Sequence, residues 1–373
     1  MIVSVLTTGR QDWGILRSTC QLLIREPGFD LRLLAGGMHN SVAFGATGGF
    51  IQEDGIPIAE HLDWVGDQDA ASQAATAVAS VAAALSRQKP DCLVLVGDRF
   101  ETAAAALAAT LQLVPIVHLH GGEETEGAID NVLRNAITKM SHLHLVSHES
   151  HAARVIAMGE DPTSVHVVGA PGLDNAHRSD LPDRTQLALS LGIALTPPVV
   201  IVTVHPATLG GDGDDVGAVV DAMDRVEATY VITLPNTDPG HDDIRAKLLG
   251  AAKKPRRVVV EALGERRFWG LMRVADAALG NSSSAIIEAP VCRLPAVNVG
   301  DRQRGRLRGD NVLDVPADAD RVVDALRTAL DPASRAKLSG TSPYGDGQSG
   351  ARIVDALKAW TPPKPPRKPA VRT

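Results

Sequence analysis

The stretch Cys92-Leu93-Val94-Leu95-Val96-Gly97-Asp98-Arg99-Phe100-Glu101 decides the fold. Five consecutive apolar residues, with no polar residue at alternate positions, match a strand buried on both faces of a parallel sheet. A glycine then breaks the run, and charged residues crowd the turn. Upstream, residues 69–88 form an alanine-rich helical stretch that opens on acidic residues and closes on a basic one, as the helix dipole favours. Downstream come a helix over 102–112 and a strand over 116–119. Repeated along a chain, strand, charged turn, helix and strand make a doubly wound sheet, which binds ligands beyond the carboxyl ends of its strands.

The same alternation extends in both directions. Residues 2–7 read as a first strand, closed by Thr8-Gly9-Arg10-Gln11-Asp12-Trp13-Gly14 and followed by a helical pattern of Ile15, Leu16, Thr19, Leu22 and Leu23. A strand over 31–34, a long glycine-rich loop over 36–50 and a strand over 57–61 come next. Beyond 119 the pattern predicts a helix over 131–140, a strand over 143–146, a helix over 150–158 and a strand over 165–168. Residues 169–183, with two prolines and two glycines, read as a linker. A second set then follows, with strands over 199–204, 230–234, 258–260, 277–279 and 296–299 and helices near 217–226, 242–249, 265–274 and 319–330. The expected fold class is therefore α/β, two Rossmann-like doubly wound domains with an interdomain cleft, spanning 1–169 and 170–348. An amphipathic helix over 349–360 and an extended, disordered Pro/Lys/Arg-rich tail over 361–373 complete the chain.

Composition narrows the function classes. A length of 373 residues suits two domains. With 37 Lys and Arg against 44 Asp and Glu, the net charge of −7 argues against a nucleic-acid partner, which needs a basic footprint. Cys20, Cys92 and Cys292 are far apart and lack a C-x-x-C pair, the pattern of buried thiols in a reducing cytoplasm. The amino terminus lacks the basic region of a signal peptide, and residues 103–117 are too short and broken to span a bilayer. A soluble, cytoplasmic protein with no membrane partner is expected.

Charge concentrates at strand ends. His118-Leu119-His120-Gly121-Gly122-Glu123-Glu124-Thr125-Glu126-Gly127-Ala128-Ile129-Asp130 holds two imidazoles, four carboxylates and three glycines. Asp98, Glu123 and Asp130 are candidate acids or bases, although Asp130 can equally cap its helix, and Glu124 and Glu126 face solvent. The pairs His118/His120 and His142/His144 have strand spacing, which raises a metal site, but no carboxylate or thiol accompanies them at matching spacing. His205, in Thr203-Val204-His205-Pro206, ends the first strand of the second half. Gly280-Asn281-Ser282-Ser283-Ser284 sits between strand and helix, where backbone N–H groups and hydroxyls can hold a phosphate; the alternative is that the serines only cap the helix. Glu288, one turn on, would repel phosphate but accept the hydroxyls of a ribose. Arg302, Arg304 and Arg306 follow another strand end, either as phosphate ligands or as a solvated basic loop. Arg10 and Arg99 occupy comparable turns in the first half.

Five motifs in order carry a resemblance: Gly97-Asp98-Arg99-Phe100-Glu101, His118 to Asp130, Ala136-Ile137-Thr138-Lys139-Met140-Ser141-His142, Gly280 to Pro290, and Gly300-Asp301-Arg302-Gln303-Arg304-Gly305-Arg306. Together they closely resemble the hydrolysing UDP-N-acetylglucosamine 2-epimerases, which make N-acetylmannosamine for sialic-acid synthesis. The likeness runs from residue 1 to about residue 360. It implies a GT-B fold with the last helix crossing back to the first domain, and anti elimination to a 2-acetamidoglucal followed by addition of water. It further implies catalytic Asp98, Glu123 and Asp130 with His205, and nucleotide contacts from Arg10, Arg99, Asn236, Ser282, Ser283, Glu288 and Arg302. No bound metal or redox cofactor is implied, and fold analogy implies a homo-oligomer, dimer or tetramer. The chain departs from the family pattern at Thr8-Gly9-Arg10-Gln11-Asp12-Trp13, at Asn135 and at Ala207. Alternatives are the same reaction on a UDP-2,4-diacetamido or GDP-linked sugar, a non-hydrolysing epimerase, and a GT-B glycosyltransferase or sugar-nucleotide-binding protein.

Overall fold

The apolar runs become strands at the predicted positions, because only a sheet with helices on both faces buries them completely. A computed structural model describes residues 1–42, 46–66, 68–125, 129–207, 213–235 and 240–368. The chain divides into two units, one of Met1–Glu123, Asp130–Asn175 and Tyr344–Thr373, the other of Glu124–Ile129 and Ala176–Pro343.

In the first unit seven parallel strands run β1 Ile2–Thr7, β2 Asp30–Gly36, β3 Ile58–Leu62, β4 Cys92–Val96, β5 Ile116–Leu119, β6 Leu143–Val146 and β7 Val165–Val167. Their spatial order is β3-β2-β1-β4-β5-β6-β7, so the winding reverses between β1 and β4. Switch points of this kind open a crevice at the strands' carboxyl ends. β4 is buried on both faces: Cys92, Val94 and Val96 pack with Trp13, Leu16 and Ile353, while Leu93 and Leu95 pack with Leu85, Ala105 and Ile137. Each such buried side chain contributes roughly 1.5–3 kcal/mol. Ile353 lies on the helix Ser349–Ala359, so the late helix belongs to the first unit's core.

The second unit holds β8 Val199–Thr203, β9 Thr229–Thr233, β10 Arg257–Val260, β11 Ala277–Gly280, β12 Ala296–Val299 and β13 Val312–Val315, all parallel. Their order, β10-β9-β8-β11-β12-β13, places a second switch point between β8 and β11.

Several expectations need correction. The loop over 36–50 contains a 3₁₀ turn at Gly37–His39 and a helix beginning at Gly48. His39 anchors it, with Nε2 2.8 Å from Thr7 Oγ1 and Nδ1 2.9 Å from Thr47 Oγ1. Burial lowers that imidazole to about 4, so it is neutral. The helix Arg184–Leu191 and β13 were not foreseen; the helix does carry a signal, a capping box between Asp183 and Gln186. The first unit extends to Asn175, past the expected boundary at 169. Residues 361–368 form neither helix nor strand, yet they are tied down: Lys364 donates to Asp91 at 2.6 Å, and Lys368 donates to Ser141 O and Glu160. Among the described residues no helix is long and apolar enough to cross a membrane.

Glu160 gathers three donors, Lys139 at 2.6 Å, His144 at 3.0 Å and Lys368. Burial pushes its carboxyl up, but the bonds from His144, Lys139 and Lys368 outweigh this and hold it at about 2, below the ordinary 4.5. A depressed carboxyl stabilises the fold above its unfolded value and ceases to do so as pH falls through its folded one. The stability advantage of the wild type over Glu160→Gln should therefore be full above pH 4.5 and shrink towards pH 2, as read by denaturant titrations across that range.

Candidate active site

The turn after β4 carries Asp98, and it is held from the helix Asp130–Met140. Arg134 of that helix is only 1% exposed, an environment a guanidinium occupies only with its donors engaged. Its Nη2 pairs with Asp98, while Nη1 donates to Glu123 O at 2.7 Å and to Asn131 Oδ1 at 2.7 Å. One buried side chain thus joins two of the predicted carboxylate positions. Asp130 opens the same helix one turn earlier, on the face that carries Arg134.

Beneath this arrangement lies His118. Its Nε2 is 2.8 Å from Gly97 O, and a carbonyl only accepts, so Nε2 carries the hydrogen. Nδ1 is then an acceptor for Thr138 Oγ1 at 3.2 Å. Burial lowers this imidazole to about 3, so it stays neutral and serves as a buttress under the Asp98 turn. His144 sits beside it on β6 and bonds Glu160. The strand-spaced histidines are therefore packing residues apart from His120, and among the described residues no three His, Cys, Asp or Glu side chains group as metal ligands would.

Glu123 is buried, and its Oε1 lies 2.5 Å from His120 Nδ1 and accepts from Ser147 Oγ at 2.8 Å. The turn before it must be tight. Gly122 has φ +74°, and a Cβ there would stand 2.4 Å from His151 O.

Arg10 is the first residue of the helix Arg10–Arg25, immediately beyond β1 at the switch point. Arg99 directs its fork onto buried Glu101, at 3.2 Å and 3.1 Å. Asp12 accepts from Thr8 N at 2.8 Å and Thr8 Oγ1 at 2.6 Å, closing the turn that presents Arg10. Burial raises the Asp12 carboxyl to about 6 despite those bonds.

The second unit's switch point is organised by Asn281, quoted in the sequence motif without a role and fully buried. Its Oδ1 accepts from His205 N at 2.7 Å, and its Nδ2 donates to His205 O at 2.9 Å and Asp215 Oδ2 at 3.0 Å. Arg302 donates to Pro206 O at 3.1 Å and Asn281 O at 3.2 Å, and Gln303 to Asn281 O at 2.9 Å. His205, the serine turn and Arg302 are thereby one construction. Gly280 lets β11 come close to β8: with φ +133°, a Cβ there would lie 2.0 Å from Thr203 O.

The serine turn differs from expectation. Its helix, Ser284–Ile287, is a single turn, too short for a useful dipole, so any anion here would be held by local N–H and hydroxyl groups. Ser283 makes no side-chain capping bond, and Ser282 Oγ lies 2.8 Å from Ser284 Oγ. Glu288 directly follows this turn. Alongside, Phe268, Met272, Leu279 and Leu294 with Ser282 and Ser284 line a small, partly open pocket, apolar walled with hydroxyls at one side. Asn236 lies outside the described residues.

Asn281→Ala would leave the His205 amide and carbonyl without these partners. A loss of about 1–3 kcal/mol is expected in denaturant unfolding.

The chain is similar to known proteins along most of its length. Residues 21–358 match the family model described as UDP-N-acetylglucosamine 2-epimerase. The chain is 32% identical over 359 residues to the hydrolysing UDP-N,N'-diacetylbacillosamine 2-epimerase of Legionella pneumophila, covering 95% of this chain and 94% of that one. It is 31% identical over 334 residues to polysialic acid biosynthesis protein P7 of Escherichia coli, covering 87% and 85%. The crystal structure of a Neisseria meningitidis UDP-GlcNAc 2-epimerase bound to UDP-GlcNAc superposes with a TM-score of 0.81, at 16% identity and 96% and 100% coverage. Two Rossmann-like domains of GT-B type are the architecture the chain shares with that structure.

Proposed function

This chain belongs to the UDP-N-acetylglucosamine 2-epimerase family, and from that premise we propose that it is a hydrolysing 2-epimerase converting UDP-N-acetylglucosamine and water to N-acetylmannosamine and UDP. The observation that carries this reading is the set of buried Arg134, Glu123 and His120 with half-buried Asp98 beyond the carboxyl ends of β4 and β5. The C2 hydrogen of an amino sugar is not acidic by itself. Its removal has to be coupled to departure of the nucleoside diphosphate from C1, which calls for proton-transferring groups and anion-stabilising groups together. The first unit supplies the former. The second supplies His205, Ser282, Ser283 and Arg302 for the diphosphate and Glu288 for ribose hydroxyls. Elimination gives a 2-acetamidoglucal; water then adds at C1 while a proton returns to C2 from the other face.

A second reading has its own support. The Legionella relative is named for a UDP-linked diacetamido sugar, and the same chemistry applies to that substrate. Incubation with each sugar nucleotide in D2O, followed by NMR, tests both. Free UDP with C2-deuterated N-acetylmannosamine supports the first reading. Release from the diacetamido substrate alone transfers the proposal to the second, and UDP-N-acetylmannosamine as product refutes hydrolysis.

A further inference from the structure

The proposed elimination needs a group that accepts the C2 proton, and we infer that this group is His120 Nε2, with Glu123 as the positioning residue that acts through it. The inference rests on the hydrolysing-epimerase reading above. His120 Nδ1 lies 2.5 Å from Glu123 Oε1. An ionised carboxylate only accepts, so Nδ1 carries the hydrogen and Nε2 is the nitrogen left to accept a proton. This is the relation in which a buried carboxylate selects an imidazole tautomer and stabilises the imidazolium that forms.

Three further observations agree. His120 Nε2 is buried yet has no hydrogen-bond partner among the described residues, a deficit that a ligand's group would relieve. His120 is a non-glycine residue at φ +66°, a strained conformation of the kind concentrated at functional sites, and it is held there by its own N–H bond to Leu145 O at 3.2 Å. Glu123 is itself fixed from behind. Ser147 donates its hydroxyl to Oε1, so His151 Nδ1, 2.9 Å from Ser147 Oγ, must be the donor in that second bond. Burial lowers His151 to about 4, keeping it neutral and the relay permanent. A carboxylate oxygen committed to both His120 and Ser147 is held to orient its partner.

In the step, the C2–H bond breaks and its proton goes to Nε2. The C–H electron pair becomes the C1=C2 double bond, and the C1–O bond breaks with its pair leaving on the diphosphate oxygen. The new imidazolium charge faces Glu123.

Two measurements test this on the full chain. Nitrogen-15 NMR of histidine-labelled protein should show His120 as the Nδ1–H tautomer, a preference lost in Glu123→Leu, which offers no acceptor; an Nε2–H tautomer in the wild type overturns the inference. His120→Gly suits the left-handed backbone and opens an imidazole-sized gap, so its turnover should fall about 100-fold or more, with partial recovery on adding imidazole. A folded His120→Gly protein working within about tenfold of the wild type overturns the inference as well. If the wild type turns over no amino-sugar nucleotide, the functional reading fails, while the NMR result still decides the pairing.

Discussion

Replacing Asp98 with asparagine is expected to lower kcat by about 100-fold or more and to change KM only slightly, the signature of a group needed in the transition state and not for binding. The substitution nearly preserves shape. Asparagine can still offer an oxygen to Arg134, so the turn after Gly97 keeps its main tether. What disappears is the negative charge and the capacity to carry a proton. Because the variant also leaves the buried guanidinium of Arg134 without its counter-charge, a melting curve must accompany the kinetics. Steady-state release of nucleoside diphosphate from a folded Asp98→Asn protein decides the matter, and near-wild-type rates would remove Asp98 from the proton-transferring set.

The second large effect concerns stability. Arg134→Leu is expected to cost about 1–3 kcal/mol, because the half-buried Asp98 carboxylate loses its charged donor and the Glu123 carbonyl its hydrogen bond. Asp98 loses its cation, the Glu123 carbonyl its donor and Asn131 its side-chain partner, all at once. Leucine fills much of the space, so packing alone would predict a far smaller loss. Arg134→Lys provides the contrast. It returns the charge but not the planar fork that reaches Asp98 and the Glu123 carbonyl together, so recovery should be partial. Urea unfolding of the three proteins reads the difference, and a loss below about 1 kcal/mol for the leucine variant would show that the pair contributes little beyond geometry.

Most of the fold was legible because doubly wound sheets write themselves locally. Cys92–Val96 is apolar throughout because both of its faces are covered, and the helix Ala319–Leu330 appeared at its predicted position because its apolar residues repeat at helical spacing. The placement of Asp98, Glu123, His205 and the serines in turns beyond strand ends was legible as well, because an apolar run that stops at glycine and charge marks where a buried strand leaves the sheet. Less visible were β13, a short strand of partly buried residues with Asp314 in it, and the one-turn helix at Ser284, whose length is set by Glu288 and Pro290.

The sequence by itself determined the two parallel sheets, the order of their elements and the turns where chemistry would sit, because periodicity and punctuation act over a few residues. Tertiary structure alone decided which side chains in those turns work together. Arg134 lies 36 positions from Asp98, and Ser147 lies 24 from Glu123. His118 and His120 look alike in the chain, yet one is satisfied on both nitrogens by Gly97 and Thr138 while the other pairs with Glu123 and keeps a buried nitrogen unused. The physical reason is that a hydrogen bond depends on distance and direction in space, and those come from strand order and register, which no local pattern encodes.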